Sequence, residues 1–162
     1  MASKTTKTAY GDLPNTALPY LSIIEKASKA YNIPVTIIAW MIDHESKGNP
    51  KAWNPQNSEN SRGLMQISEN AAKSAPLFIA QADWNRLYEP EFNIMNACKL
   101  LDYIRGKMIA LLPKNIDSVI LWNCVTSSYN QGWGYYKWAI ESLTKDGKTL
   151  TWDNIVYRVN NP

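Results

Sequence analysis

One histidine, two cysteines and two phenylalanines are all that the 162 residues hold of these types. His44 stands alone, and Cys98 and Cys124 form no Cys-x-x-Cys and no Cys/His cluster. That argues against a zinc site and against a fold stapled by disulfides, and no metal or cofactor is expected. Both cysteines fall within helical patterns, where they read as ordinary buried thiols. There is no run of about 18 apolar residues, so no membrane-spanning helix is expected. The first ten residues contain no apolar stretch, which leads to the expectation of a chain made without a signal peptide. Basic residues form no block beyond a few lysines near the N-terminus, and the net charge is only +3. A nucleic-acid partner is therefore not indicated. The scarcity of Phe throws the aromatic content onto seven Trp and nine Tyr. Rings with a polar handle suit the edges of cores and the walls of grooves.

What is present is a helical pattern long enough for one domain with a core. Residues 1–16 are polar and are expected as a flexible N-terminal arm, with the domain over 17–162. Asn15-Thr16 can cap a helix over 17–31, in which Leu21, Ile24 and Ala27 share a face. Asn32-Ile33-Pro34 breaks the chain and opens a helix over 34–46, with Asn32 able to cap and Pro34 in the first turn. Gly48 and Asn49-Pro50 stop it. Residues 49–62, rich in Asn, Ser and Pro, read as a long loop. Gly63-Leu64-Met65-Gln66-Ile67 is a short apolar return, and Ser68 caps a helix over 69–75. Residues 76–88 leave room for one short helix. Glu89-Pro90-Glu91 opens the longest pattern, 90–111, whose buried face is Ile94, Ala97, Cys98, Leu101, Ile104, Met108 and Leu112; Pro113 ends it. Asp117-Ser118 opens a helix over 117–127, another spans 133–144, Asp146-Gly147 turns, and a last one spans 152–159. The fold class is mainly α, with a small β element near 56–67.

Within this pattern Glu45 stands out. It shares a face with Ile38, Met41 and Ile42, at steps of three, one and three. Desolvation on that face raises a carboxyl pKa, and the C-terminal end of a helix dipole raises it further. A carboxylic acid kept protonated near neutral pH is what cleavage of a glycosidic bond requires, because the leaving oxygen must receive a proton. Asp43, two residues back, lies about 200° round the helix and cannot pair with it. His44 reads as structural or exposed.

Three motifs then follow in order: Glu45-Ser46, Gly63-Leu64-Met65-Gln66-Ile67 and Ser128-Tyr129-Asn130-Gln131-Gly132. The set resembles the soluble lytic transglycosylase catalytic domain, a relative of goose-type lysozyme, whose members carry Glu-Ser, Gly-Leu-Met-Gln and Ala-Tyr-Asn-x-Gly in this order. Glu89-Pro90-Glu91-Phe92-Asn93-Ile94 is similar to that family's helix start, where an Asn-Ile pair recurs. The resemblance covers roughly residues 18–140. It implies a lysozyme-like, mostly helical domain that cleaves the MurNAc–GlcNAc bond of peptidoglycan. It implies Glu45 as acid and then base, and Ser46 as a hydrogen-bond partner of the carboxylate or the sugar. It also implies Met65 lying against a sugar, Gln66 bonding it, and Tyr129 and Asn130 lining the cleft. Tyr157 is matched to the tyrosine of the family's last motif. Ser127-Ser128 stand where the family has alanines, and Gln131 replaces a small residue.

A hydrolase needs a second group to aim water, whereas a lytic transglycosylase uses the substrate's own N-acetyl group and 6-hydroxyl and leaves a 1,6-anhydro end. Glu59, in the loop before Gly63, is the candidate second acid. It would have to face Glu45 across roughly 6.5–9.5 Å to support inverting hydrolysis. The expectation is a single-acid transglycosylase, with a muramidase as the alternative and a non-catalytic peptidoglycan-binding module as the third class. The expected partners are peptidoglycan strands and, beyond them, other virion or secretion-system proteins. The expected setting is a phage lysin acting in the periplasm or cell wall.

Overall fold

The N-terminal residues expected as a loose arm form a hairpin. Strands β1 (Thr5–Thr8) and β2 (Gly11–Pro14) pair antiparallel, with Thr6 opposite Leu13 and Lys7 opposite Asp12. Leu13 is fully buried, and Thr6 Oγ1 donates to Asn15 Oδ1 at 2.8 Å. The polar composition that suggested a flexible arm belongs to a two-stranded ribbon that exposes Thr5, Thr6, Lys7 and Asp12 and turns Leu13 inward. The computed structural model describes residues 3–55 and 59–162. The chain divides into two compact units, Met1–Leu100 and Leu101–Pro162, where the sequence suggested one domain from 17 onward.

In the first unit a 3₁₀ turn, Leu18–Tyr20, leads into α1 (Leu21–Tyr31) and then α2 (Val35–Ser46). Asn32 ends α1 in the left-handed conformation, φ 50°, rather than capping α2. Pro34 stands just outside α2, at ψ 134°, and its carbonyl accepts from the N–H groups of Ile37 and Ile38. Ile38, Ala39 and Ile42 are fully buried, and each Ile contributes about 1.5–3 kcal/mol by leaving water. α2 packs on α1 and on β2. It stops because Lys47 (φ 53°) and Gly48 (φ 74°) turn left-handed. Gly48 is required for a second reason, since a Cβ there would lie 2.3 Å from the Thr16 carbonyl oxygen.

The small β element is β3 (Trp53–Asn54) paired antiparallel with β4 (Ser61–Arg62), so it starts ahead of the expected 56–67. Of that expected range, 56–58 lie outside the described residues. Ser68 Oγ caps α3 (Glu69–Lys73) by accepting from Ala71 N–H, and a 3₁₀ helix, Gln81–Tyr88, occupies the weakly patterned stretch. α4 is Pro90–Leu111 and crosses from the first unit into the second. All seven residues expected on its buried face are buried.

In the second unit Asp117 caps α5 (Ser118–Gln131) through a 2.6 Å bond from Val119 N–H. α6 (Trp133–Lys145) packs on both α5 and α7 (Trp152–Asn160). The rings of Tyr136 and Trp152 stack with centroids 6.3 Å apart, and Arg158 ties α7 to Ser142 and Asp146. Among the described residues no helix is long and apolar enough to cross a membrane.

Candidate active site

Glu45 occupies the last turn of α2, half-buried, with Oε1 closed off from solvent. Its neighbours along the helix diverge as 100° steps require. His44 is exposed. Asp43, only 3% exposed, is bonded by Ser3 Oγ at 2.6 Å, Thr16 Oγ1 at 2.8 Å and Lys47 Nζ at 2.8 Å. Burial pushes the Asp43 carboxyl up, but the hydrogen bonds from Lys47, Ser3 and Thr16 and the Lys47 charge outweigh it, holding the group below its ordinary value. Asp43 thus ties the end of the Glu45 helix to the N-terminal hairpin. Ser46 donates its hydroxyl proton to the Ile42 carbonyl at 3.2 Å, leaving its oxygen as an acceptor.

The Gly-Leu-Met-Gln turn is fastened to the chain that leaves α2. Gly63 N–H donates to the Ala52 carbonyl at 2.9 Å, and Gln66 Nε2 donates to the same carbonyl at 3.2 Å and to Gly63 O at 2.9 Å. Gly63 (φ 79°) and Gln66 (φ 45°) are both left-handed, and Arg62 bridges Ile67 with a bond in each direction. Leu64 and Met65 are fully buried. This corrects the expectation for Met65: its side chain lies in the core and presents no surface to a sugar, because the tight turn points it inward. Gln66 stays half-buried, and its amide N–H groups close the turn.

Glu59 is exposed, and its carbonyl accepts from Glu69 N–H at 2.7 Å.

In the second unit Tyr129, Asn130 and Gln131 form the last turn of α5, where the helix runs beyond the expected 127, and Gly132 (φ 90°) ends it. Tyr129 is half-buried and Asn130 exposed. Ser128 is buried and, among the described residues, its Oγ meets no hydrogen-bond partner. Gln131 Oε1 accepts from the Tyr136 hydroxyl at 3.1 Å, which gives the unexpected glutamine a bracing role. Tyr157 on α7 is 69% exposed. An open apolar hollow of about 430 Å³ lies beyond the motif, lined by Gly132, Tyr135, Trp138 and Val159.

Pattern reading noticed Asn93 as part of a helix start but assigned it no task. The residue is fully buried, accepts from Met65 N–H at 2.8 Å, and donates from Nδ2 to the carbonyls of Arg62 and Leu87 at 2.9 Å each. A polar side chain among the apolar positions of the α4 pattern was the available signal. Both thiols are free and buried, and burial pushes Cys98 to about 12 and Cys124 to about 11.

Among known proteins, a transglycosylase of Enterobacteria phage PRD1 is 27% identical over 146 residues, which is 90% of this chain and 47% of that protein. The chain thus spans about half the length of that relative. The family described as the transglycosylase SLT domain matches residues 22–151, a stretch that runs from α1 to the end of the loop before α7 and holds all three motifs, and the chain belongs to that family.

Proposed function

We propose that the chain is a lytic transglycosylase that cleaves the β-1,4 bond between MurNAc and GlcNAc in peptidoglycan, with Glu45 as the proton carrier. The observation that carries this is the position of Glu45. It is a carboxyl group at the C-terminal end of a buried helix, one oxygen shielded from water, in a chain of this family. In the first step Glu45 gives its proton to the glycosidic oxygen as the bond to the anomeric carbon breaks, while the substrate's N-acetyl oxygen steadies the developing positive charge. In the second, the 6-hydroxyl of the same sugar attacks that carbon, and the Glu45 carboxylate takes the hydroxyl proton. The product carries a 1,6-anhydro end, and Glu45 is again protonated. Ser46, Gln66, Tyr129, Asn130 and Tyr157 are the proposed sugar contacts. Met65, being buried, serves by shaping the turn.

The exposure of Glu59 is that of an ordinary solvated loop acid, which favours the single-acid route over water activation. The relative from a phage suggests use in lysis or penetration of the bacterial cell wall, carried in a virion or released from the host cytoplasm. The test is Glu45→Gln on purified peptidoglycan with mass spectrometry of the products. Cleavage is expected to fall by at least about 10²–10⁴-fold with the fold intact. Wild-type products are expected to be anhydro-ended. Reducing ends would identify a muramidase, and undiminished cleavage by the variant would remove Glu45 from the chemistry.

A further inference from the structure

On the first unit a group of cations lies on two aromatic rings. The Arg62 guanidinium sits 5.4 Å from the Trp84 ring centroid and 5.8 Å from that of Tyr88. Lys51 Nζ lies 5.5 Å from the Tyr88 centroid, and Lys73 Nζ lies 5.0 Å from the Trp84 centroid. Lys73 is neutralised by Glu69. Among the described residues neither Lys51 nor Arg62 takes part in a close ion pair, and Glu69, whose carboxylate the Arg62 charge also reaches, is already engaged by Lys73. The polar contact of the Arg62 guanidinium is a 3.5 Å approach of Nη1 to Asn85 Oδ1, at the outer limit of a hydrogen bond.

Among the described residues, two N–H donors in the same group, Arg62 Nε and Trp84 Nε1, are buried without an acceptor. Leaving one such donor unmet costs about 1–3 kcal/mol, and a guanidinium with no carboxylate in direct contact among the described residues adds to that demand. Arg62 is also held in place. Its backbone is pinned by the Ile67 bridge and by Asn93 Nδ2 on its carbonyl, and its planar head rests against rings. A fixed guanidinium beside a mobile ammonium is suited to carboxylates, which the fork can bind through two oxygens.

We propose that Lys51 and Arg62, mounted on Trp84 and Tyr88, form a binding site for the carboxylates of a short acidic peptide. Such a peptide is the substituent that peptidoglycan carries on alternate sugars, and the assignment rests on the peptidoglycan reading above. The site would recognise stem-bearing strands through charge and leave the sugar contacts to the other residues. Arg62 adjoins Gly63, so a bound peptide would sit next to the Gly-Leu-Met-Gln turn.

The test is a titration of the whole ¹⁵N-labelled chain with N-acetyl-Ala-γ-D-Glu-Lys-D-Ala, following the Trp84 indole N–H resonance. The same peptide with both carboxylates amidated and a single-stranded oligonucleotide serve as comparisons. The acidic peptide is expected to shift the Trp84 signal saturably. The Lys51→Met/Arg62→Met variant is expected to weaken binding at least tenfold while its Tm stays near wild type. Where that variant does not fold, Lys51→Met alone is expected to weaken binding about threefold. An unmoved Trp84 signal, equal binding of the amidated peptide, tighter binding of the oligonucleotide, or an unchanged Kd in the folded variant would each overturn the site. Cleavage of peptidoglycan is scored separately. Peptide binding without cleavage leaves the site standing and removes the activity, and cleavage without peptide binding does the reverse.

Discussion

Asn93, on α4, fixes the backbone of Met65, 28 residues earlier in the chain. Its Oδ1 accepts from the Met65 N–H at 2.8 Å while its Nδ2 reaches the carbonyls of Arg62 and Leu87. One buried amide therefore satisfies three backbone groups of two segments. Gly63 makes the approach feasible, because a Cβ there would lie 2.1 Å from the Leu87 carbonyl oxygen and 2.3 Å from Asn93 Nδ2.

Replacing either partner should damage the turn. Asn93→Ala leaves the Met65 N–H and two carbonyls without partners and is expected to cost about 2–4 kcal/mol. Gly63→Ala meets both a left-handed φ and backbone contact and is expected to cost at least as much. Chemical denaturation measures both. A loss below about 1 kcal/mol in either variant would show that the turn does not depend on this clamp.

Asp43 makes stability fall in acid. Its folded-state pKa lies below the unfolded one, so the unfolded chain binds more protons wherever the two differ. Its contribution is fully present above the ordinary carboxylate range, from about pH 5 upward, and is lost as pH falls through the lower folded value. Asp43→Asn is expected to flatten the acid limb of a Tm-against-pH curve and to loosen the 3–16 hairpin. An acid limb identical to wild type would show that Asp43 does not link the hairpin to α2 in solution.

Met65 and Tyr157 should separate stability from binding. Met65 is fully buried and Tyr157 is 69% exposed. Met65→Ala is expected to cost about 2–5 kcal/mol. Tyr157→Ala should stay within about 0.5 kcal/mol of wild type and, as a proposed sugar contact, should raise KM for peptidoglycan. Equal thermal shifts in the two variants would contradict their placement.

The thiols should be silent in the native protein. With Cys98 pushed to about 12 and Cys124 to about 11 by burial, neither is a thiolate at pH 8. A thiol reagent is expected to label both only after unfolding. Rapid labelling of the folded chain would mean that these positions open to solvent.

The α4 pattern was readable in full, both its limits and its buried face, because a long 3.6-residue periodicity over-determines the element. Ser68 was readable as a cap, and Asp117-Ser118 as a helix start, because the signals at a helix N-terminus are local. The hairpin was not readable: its stability comes from Leu13 and from the Asp43 contacts of Ser3 and Thr16, all made with residues distant in sequence. The order of the three motifs, and with it the family, needed only the linear chain.

The sequence by itself determined the helices, the place of Glu45 at the end of one of them and the kinship of the chain, since these depend on neighbours within a few turns. Only the tertiary structure decided that Met65 is core, that Asp43 and Asn93 are anchors, and that Arg62 lies on Trp84 and Tyr88 with no close ion pair among the described residues. The reason is physical. A polar side chain's role is set by which donors and acceptors meet it after folding, and those come from segments that pattern along the chain does not connect.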